Sequence, residues 1–167
     1  MNYIKITKND IANGPGVRCV LWVAGCDLGC KNCQNPSTWD FNSGKLFDKD
    51  AKEELFRILN KPYIQGLTIS GGHPLALKNF DIVLNLVKEV KSKFPSKDIW
   101  LYTGYTYEEL YYKGISRILL YVDVLVDGPY IEAQRDISLQ WRGSKNQRII
   151  DVKETLKQGK VITIQND

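Results

Sequence analysis

The chain has 167 residues, of which 43% are hydrophobic and 25% charged, with a net charge of +4. That length suits a single domain with one core, and the composition excludes a disordered chain. The mild basic excess lacks a nucleic-acid-binding signature, no apolar run approaches the ~20 residues of a membrane span, and the opening MNYIKITKND has no apolar signal core, so a cytoplasmic protein with no nucleic-acid and no membrane partner is expected.

In chain order, Arg18–Ala24 (RCVLWVA) is an apolar run ending at Gly25 and predicts a buried strand. Asp50-Ala-Lys-Glu53 resembles a capping box, and Ala51, Leu55, Ile58 and Leu59 follow at helical spacing. Gly66–Ser70 predicts a short strand closed by Gly71-Gly72. Asn79 is a candidate cap for a helix with Phe80, Val83, Val87, Val90 and Phe94 on its apolar face. Asp98–Tyr102 predicts a strand, Tyr107–Tyr112 a short helix, and Tyr121–Val126 a strand closed by Asp127-Gly128-Pro129. Lys160–Ile164 is a candidate last strand.

Alternating strands and helices imply parallel pairing with right-handed crossovers. The chain is too short for a full barrel of ~250 residues. The expected fold is therefore α/β, a partial, open (β/α) barrel with a mostly parallel sheet, in one domain over residues 1–167. Ligands sit at the C-terminal ends of such strands. Cys26, Gly71-Gly72-His73, Thr103-Gly104 and Asp127-Gly128 each follow one of the four strands, and together they predict one site.

Three of the four cysteines form Cys26-Asp-Leu-Gly-Cys30-Lys-Asn-Cys33. Such clustering suggests metal or redox chemistry rather than disulfides. Thiolates select iron–sulfur clusters, zinc or Cu(I). Three thiolates on a cubane leave one iron open for an exogenous ligand, whereas structural zinc takes four protein ligands. A zinc site closed by Cys19 or His73 is the alternative, with Cys19 otherwise a buried core thiol. Residues 141–160 hold six basic residues against two acidic ones, which predicts either a solvated face or a docking face for an acidic partner.

The CxxxCxxC spacing resembles the radical S-adenosylmethionine family. A closer match is to the branch that activates the anaerobic (class III) ribonucleoside-triphosphate reductase. It is carried by Asn13-Gly-Pro-Gly-Val-Arg18, Cys33-Gln-Asn35 with Thr38-Trp39, Gly71-Gly-His-Pro-Leu75, Thr103-Gly-Tyr105, Val126-Asp-Gly-Pro-Tyr130 and Trp141-Arg-Gly-Ser-Lys-Asn-Gln-Arg148. The resemblance implies a minimal radical-SAM core with a 4Fe-4S cluster on Cys26, Cys30 and Cys33. It also implies reductive cleavage of S-adenosylmethionine, hydrogen abstraction from a glycine of the reductase large subunit, and an electron donor protein. Gly71, Gly72, His73, Thr103 and Asp127 are the implied cofactor-binding residues, with Asn32 and Trp39 near the adenine. His73 stands where the family has an acidic residue, so a backbone role survives there. Asn13, Gly14, Gly16, Arg18, Arg142 and Arg148 are the implied partner-binding residues. Activation of another glycyl-radical enzyme, or a zinc-stabilised binding module without catalysis, are the competing readings.

Overall fold

A computed structural model describes residues 1–164. Seven strands form one sheet in the order β3-β1-β2-β4-β5-β6-β7. Its centre is β2 (Arg18–Val23), β4 (Gly66–Gly71), β5 (Asp98–Tyr102) and β6 (Val124–Asp127), all parallel. β1 (Asn2–Asp10), β3 (Lys45–Leu46) and β7 (Arg148–Asp151) extend the two edges with antiparallel pairings. The helices α1 (Lys49–Leu59), α2 (Leu77–Lys93) and α3 (Tyr107–Tyr112) lie in the crossovers, as α/β alternation requires, and α4 (Val152–Gln158) follows β7.

Side chains two apart on a strand share a face, and here the two faces differ in kind. Cys19, Leu21 and Val23 of β2, Leu67 and Ile69 of β4, and Ile99 and Leu101 of β5 join α1, α2 and Leu110 of α3 in the main core. The alternate residues face the other way. Trp100, Val124, Val126 and Ile149 form a smaller cluster with Tyr102 and Trp141. One face is therefore packed by helices, and the other borders a cavity.

Several boundaries differ from the sequence reading for local reasons. The first helix starts two residues early, because Asp48 rather than Asp50 caps it and accepts from Ala51 N at 3.0 Å. Asn79 is not a cap. It lies in the first turn of α2, and its Nδ2 donates to Ala24 O at 3.0 Å and His73 O at 3.1 Å. The strand expected at Tyr121 begins only at Val124, since residues 116–120 form a 3-10 turn that Tyr121 closes. At Lys160–Ile164 only an isolated bridge forms, between Thr163 and Ile150; residues beyond 164 lie outside the described part.

Arg18 organises the opposite end of the sheet from the cysteine loop. It is 0% exposed. Its Nε donates to Thr68 Oγ1 at 2.8 Å, its Nη1 to Pro15 O and its Nη2 to Leu67 O and the Asp98 carboxylate. Thr68 Oγ1 passes its own hydrogen on to Asn13 O at 2.8 Å. The Asn13–Arg18 segment is thereby folded onto β4 and β5, with its arginine inside.

Candidate metal and cofactor site

The cysteine loop follows β2 and is fastened by its backbone. Gly25 N donates to Thr38 O at 2.7 Å, Cys26 N to Trp39 O at 3.0 Å, and His73 N to Gly25 O at 2.7 Å. Leu28 lies over Gly104 so closely that a Cβ there would stand 2.1 Å from its Cδ1. Cys26, Cys30 and Cys33 are all free, partly exposed thiols, and all three line one cavity of about 390 Å³. Burial pushes the Cys26 thiol up, and the N–H groups of Leu28 and Gly29 pull against it. Asn35 N donates to Cys33 Sγ at 3.3 Å, the kind of amide–sulfur bond that tunes cluster ligands. Cys19 sits on the helix-covered face, and burial raises its thiol to about 12. It is a core thiol and points away from the other three.

The cavity wall continues through Ser70, Gly71 and Gly72 at the end of β4 and Tyr102, Thr103 and Gly104 at the end of β5. Trp22 and Asn13 also border it. The far wall is a flap, residues 139–143, held by Tyr102 Oη donating to Trp141 O at 2.8 Å and by the Trp141 ring edge-on to Trp100 at 5.1 Å. Trp141 has φ +60, uncommon for a bulky residue and maintained by those two contacts. Beside it, Arg142 is, among the described residues, the one charged side chain on the wall. Its Nη1 donates to Gln147 O at 2.8 Å, and no carboxylate among the described residues is within ion-pair distance.

Gly71 and Gly72 are required here by packing. Gly71 has φ +103, and a Cβ on Gly72 would lie 2.4 Å from Gly25 O and 2.9 Å from Thr38 O. The close approach is therefore to the cysteine loop's own backbone, a reason the sequence could not supply. Gly72→Val is expected to push that loop off β4. Reconstituted iron should fall at least about tenfold, in the range seen when metal-supporting contacts are lost, as read by iron analysis. Wild-type iron content in this variant would refute the packing argument.

Other residues from the sequence reading are placed differently. His73 is 0% exposed and is not part of the wall. Thr103 is on the wall while its hydroxyl bonds His73 Nε2 at 3.0 Å. Asp127 is buried behind the wall, where Tyr107 N and Arg148 donate to it. Arg148 is spread between Asp127 and Glu108, and its hydrogen bonds hold the Glu108 carboxyl below its ordinary range. Asn32 and Trp39 are exposed and lie off the wall. Of the partner candidates, Asn13 and Arg142 reach the cavity, Gly16 is exposed, and Gly14 and Arg18 are buried. Burial of Arg18 removes its side chain from any docking face.

The basic stretch is also largely neutralised within the fold. Lys145 pairs with Asp136, Arg148 with Asp127 and Glu108, Lys153 with Asp123, and Lys157 with Glu154. Sequence reasoning missed Tyr130, Gln147 and Gln34 as wall residues. Gln147 Oε1 accepts from Gly143 N at 2.9 Å and Ser144 N at 3.2 Å, and its Nε2 donates to Gly128 O, so it stitches the flap to the end of β6. Its place in the polar run 141–148 was the available signal.

Residues 12–150 match the family described as a 4Fe-4S single cluster domain. Among curated proteins, the chain is 48% identical over 149 residues to the anaerobic ribonucleoside-triphosphate reductase-activating protein of Enterobacteria phage T4, covering 89% of this chain and 93% of that one. It is 46% identical over 151 residues to the protein of the same name from Haemophilus influenzae, covering 89% and 97%. The Escherichia coli (strain K12) protein is 44% identical over 149 residues, covering 88% and 96%.

Proposed function

The chain belongs to the anaerobic ribonucleoside-triphosphate reductase-activating protein family and carries its 4Fe-4S single cluster domain, and from that premise we propose that it generates the glycyl radical of an anaerobic ribonucleotide reductase by cleaving S-adenosylmethionine. The observation that carries this reading is the opening of Cys26, Cys30 and Cys33 onto one small-molecule cavity at the C-terminal ends of the parallel strands. The donor set fits the cluster. Three thiols line the wall, while Cys19 lies in the helix-covered core and His73 is buried off the wall. A structural zinc takes four protein ligands, so three thiols with neither candidate fourth ligand beside them favour a cluster with one iron open over the zinc-module alternative.

When bound, the cluster supplies the electron that splits the sulfonium and yields the hydrogen-abstracting radical. The rest is the task of this chain's own residues. The backbone around Gly71 and Gly72 forms the wall next to the cysteine loop. Trp22, Tyr102 and Trp141 give aromatic surface that excludes water. Arg142 supplies a fixed cation for the carboxylate of S-adenosylmethionine. The cavity gathers residues that follow β2, β4, β5 and β6, which suits a minimal open barrel in a single domain over 1–167 that receives a loop of the reductase. An electron donor protein completes the reading, and the cytoplasm, which keeps thiols reduced, is the compartment it requires.

The test is anaerobic reconstitution with iron and sulfide, then reductant and S-adenosylmethionine. Methionine and 5′-deoxyadenosine are quantified, and the radical on the reductase is read by electron paramagnetic resonance. Absence of cleavage in cluster-loaded protein would end the proposal. Arg142→Ala is expected to weaken S-adenosylmethionine binding by about tenfold or more, the loss of one charge-assisted hydrogen-bond donor, with a smaller loss for an analogue lacking the carboxylate. Equal losses for both ligands would remove Arg142 from this role.

A further inference from the structure

We propose that His73 is a positioning residue that holds the first cluster ligand, Cys26, by gripping the residues on either side of it. This rests on the 4Fe-4S reading but not on the activation reaction. On one side of Cys26, the His73 backbone N–H donates to Gly25 O at 2.7 Å. On the other, His73 Nδ1 meets Asp27 Oδ1 at 2.8 Å. The remaining groups of the residue are tied to the scaffold. Nε2 meets Thr103 Oγ1 at 3.0 Å, and the carbonyl accepts from Asn79 Nδ2 at 3.1 Å. The ring stands edge-on to Tyr105 at 4.4 Å. Every polar group of a fully buried histidine is thus used, two toward the cysteine loop and two toward the scaffold, at Thr103 just past β5 and Asn79 in the first turn of α2.

The hydrogen-bond directions fit together. Asp27 is a carboxylate and accepts, so Nδ1 carries the hydrogen of a neutral ring, and the Thr103 hydroxyl, which accepts from Tyr105 N at 3.1 Å, points its own hydrogen at Nε2. Nε2 is then the acceptor. Burial favours the neutral ring this pattern needs. The loop itself has glycines at 25 and 29, so it does not hold a fixed shape by local preference. The side-chain bond to Asp27 supplies order that would otherwise have to come from the cluster. An outer contact of this type typically contributes ten- to a hundredfold in ligand retention.

The experiment needs neither S-adenosylmethionine nor the reductase. Cluster-loaded wild type and variants are mixed anaerobically with excess iron chelator, and the decay of absorbance near about 400 nm gives the cluster lifetime. His73→Ala and Asp27→Ala are each expected to shorten it about tenfold, with the double variant no shorter than either single one. His73→Asn places an amide N–H where Nδ1 lies and is expected to keep the lifetime within about twofold, while His73→Gln reaches only the Nε2 position and should behave like Ala. A role as mere filler would rank them the other way, since Gln is closer to His in volume. Should His73→Ala fail to fold, Asp27→Ala carries the same test from a half-exposed side chain. Wild-type lifetimes in both Ala variants, additive losses in the double variant, or Gln outperforming Asn would overturn the assignment. Zinc uptake in place of iron by wild type would instead defeat the cluster reading and leave a distinguishable result.

Discussion

Cys26→Ala, Cys30→Ala and Cys33→Ala are each expected to drop reconstituted iron from about four per chain to almost none, whereas Cys19→Ala keeps it. Three corners are the fewest that hold a cubane with one iron left open, so no cysteine of the set is spare. All three thiols line the same cavity, and among the four cysteines only Cys19 lies in the helix-covered core. Burial raises the Cys19 thiol to about 12, so it offers no thiolate at neutral pH. Its replacement removes a small buried group and should lower stability by roughly 1 kcal/mol. Iron analysis and the brown absorbance decide the matter. Four irons bound by Cys30→Ala, or none by Cys19→Ala, would contradict the placement of the ligands.

Asp98→Ala is expected to destabilise the protein by about 3–5 kcal/mol, because it leaves a buried guanidinium without its counter-ion. Arg18 is 0% exposed, and its remaining partners, Thr68 Oγ1 and the carbonyls of Pro15 and Leu67, are neutral. Arg18→Met should cost less, since the Asp98 side chain is 27% exposed and can hydrate once alone. The double variant Arg18→Met/Asp98→Ala is expected to recover much of the loss, as replacement of a whole buried pair commonly does. Urea unfolding of the three proteins measures this order. A loss below about 1 kcal/mol in Asp98→Ala would place the pair among surface bridges.

The parts of the fold legible in the sequence were those with strong local patterns. Asp98–Tyr102 is a strand with the expected bounds, and Arg18–Ala24 differs from β2 by one residue. The convergence of strand ends on one site was also legible, because parallel topology puts those ends together whatever the residues are. β1 escaped notice because its lysines and half-exposed residues show no clean alternation, as suits a strand near a sheet edge. β7 and α4 are four and seven residues long, too short to announce themselves inside a polar stretch.

Long-range pairing was the other blind spot. Arg18 was a partner-binding candidate at the head of a buried strand, and nothing local pointed to Asp98, 80 positions away, as its counter-ion. His73 was expected to act through its backbone beside the cofactor, yet its two ring nitrogens are met by partners 46 and 30 positions distant. The charges of residues 141–160 allowed either a solvated face or a docking face, and their carboxylate partners include Asp123, Asp127 and Glu108, outside that window. Composition counts charges; it does not say which ones cancel.

The two unlike faces of the central sheet bear on how such a protein can change over generations. Because neighbouring positions in a strand point opposite ways, a substitution falls either on the helix-packed side or on the cavity side, seldom on both. At β2, Leu21 is bound into the main core while Trp22 borders the cavity. At β4, Ile69 and Ser70 divide in the same manner, and at β5, Leu101 and Tyr102. Variation at the cavity-side positions can therefore reshape what the pocket accepts while the folding free energy is carried by their neighbours. Adaptation to a new occupant of the cavity has an open mutational route that does not pass through loss of the fold.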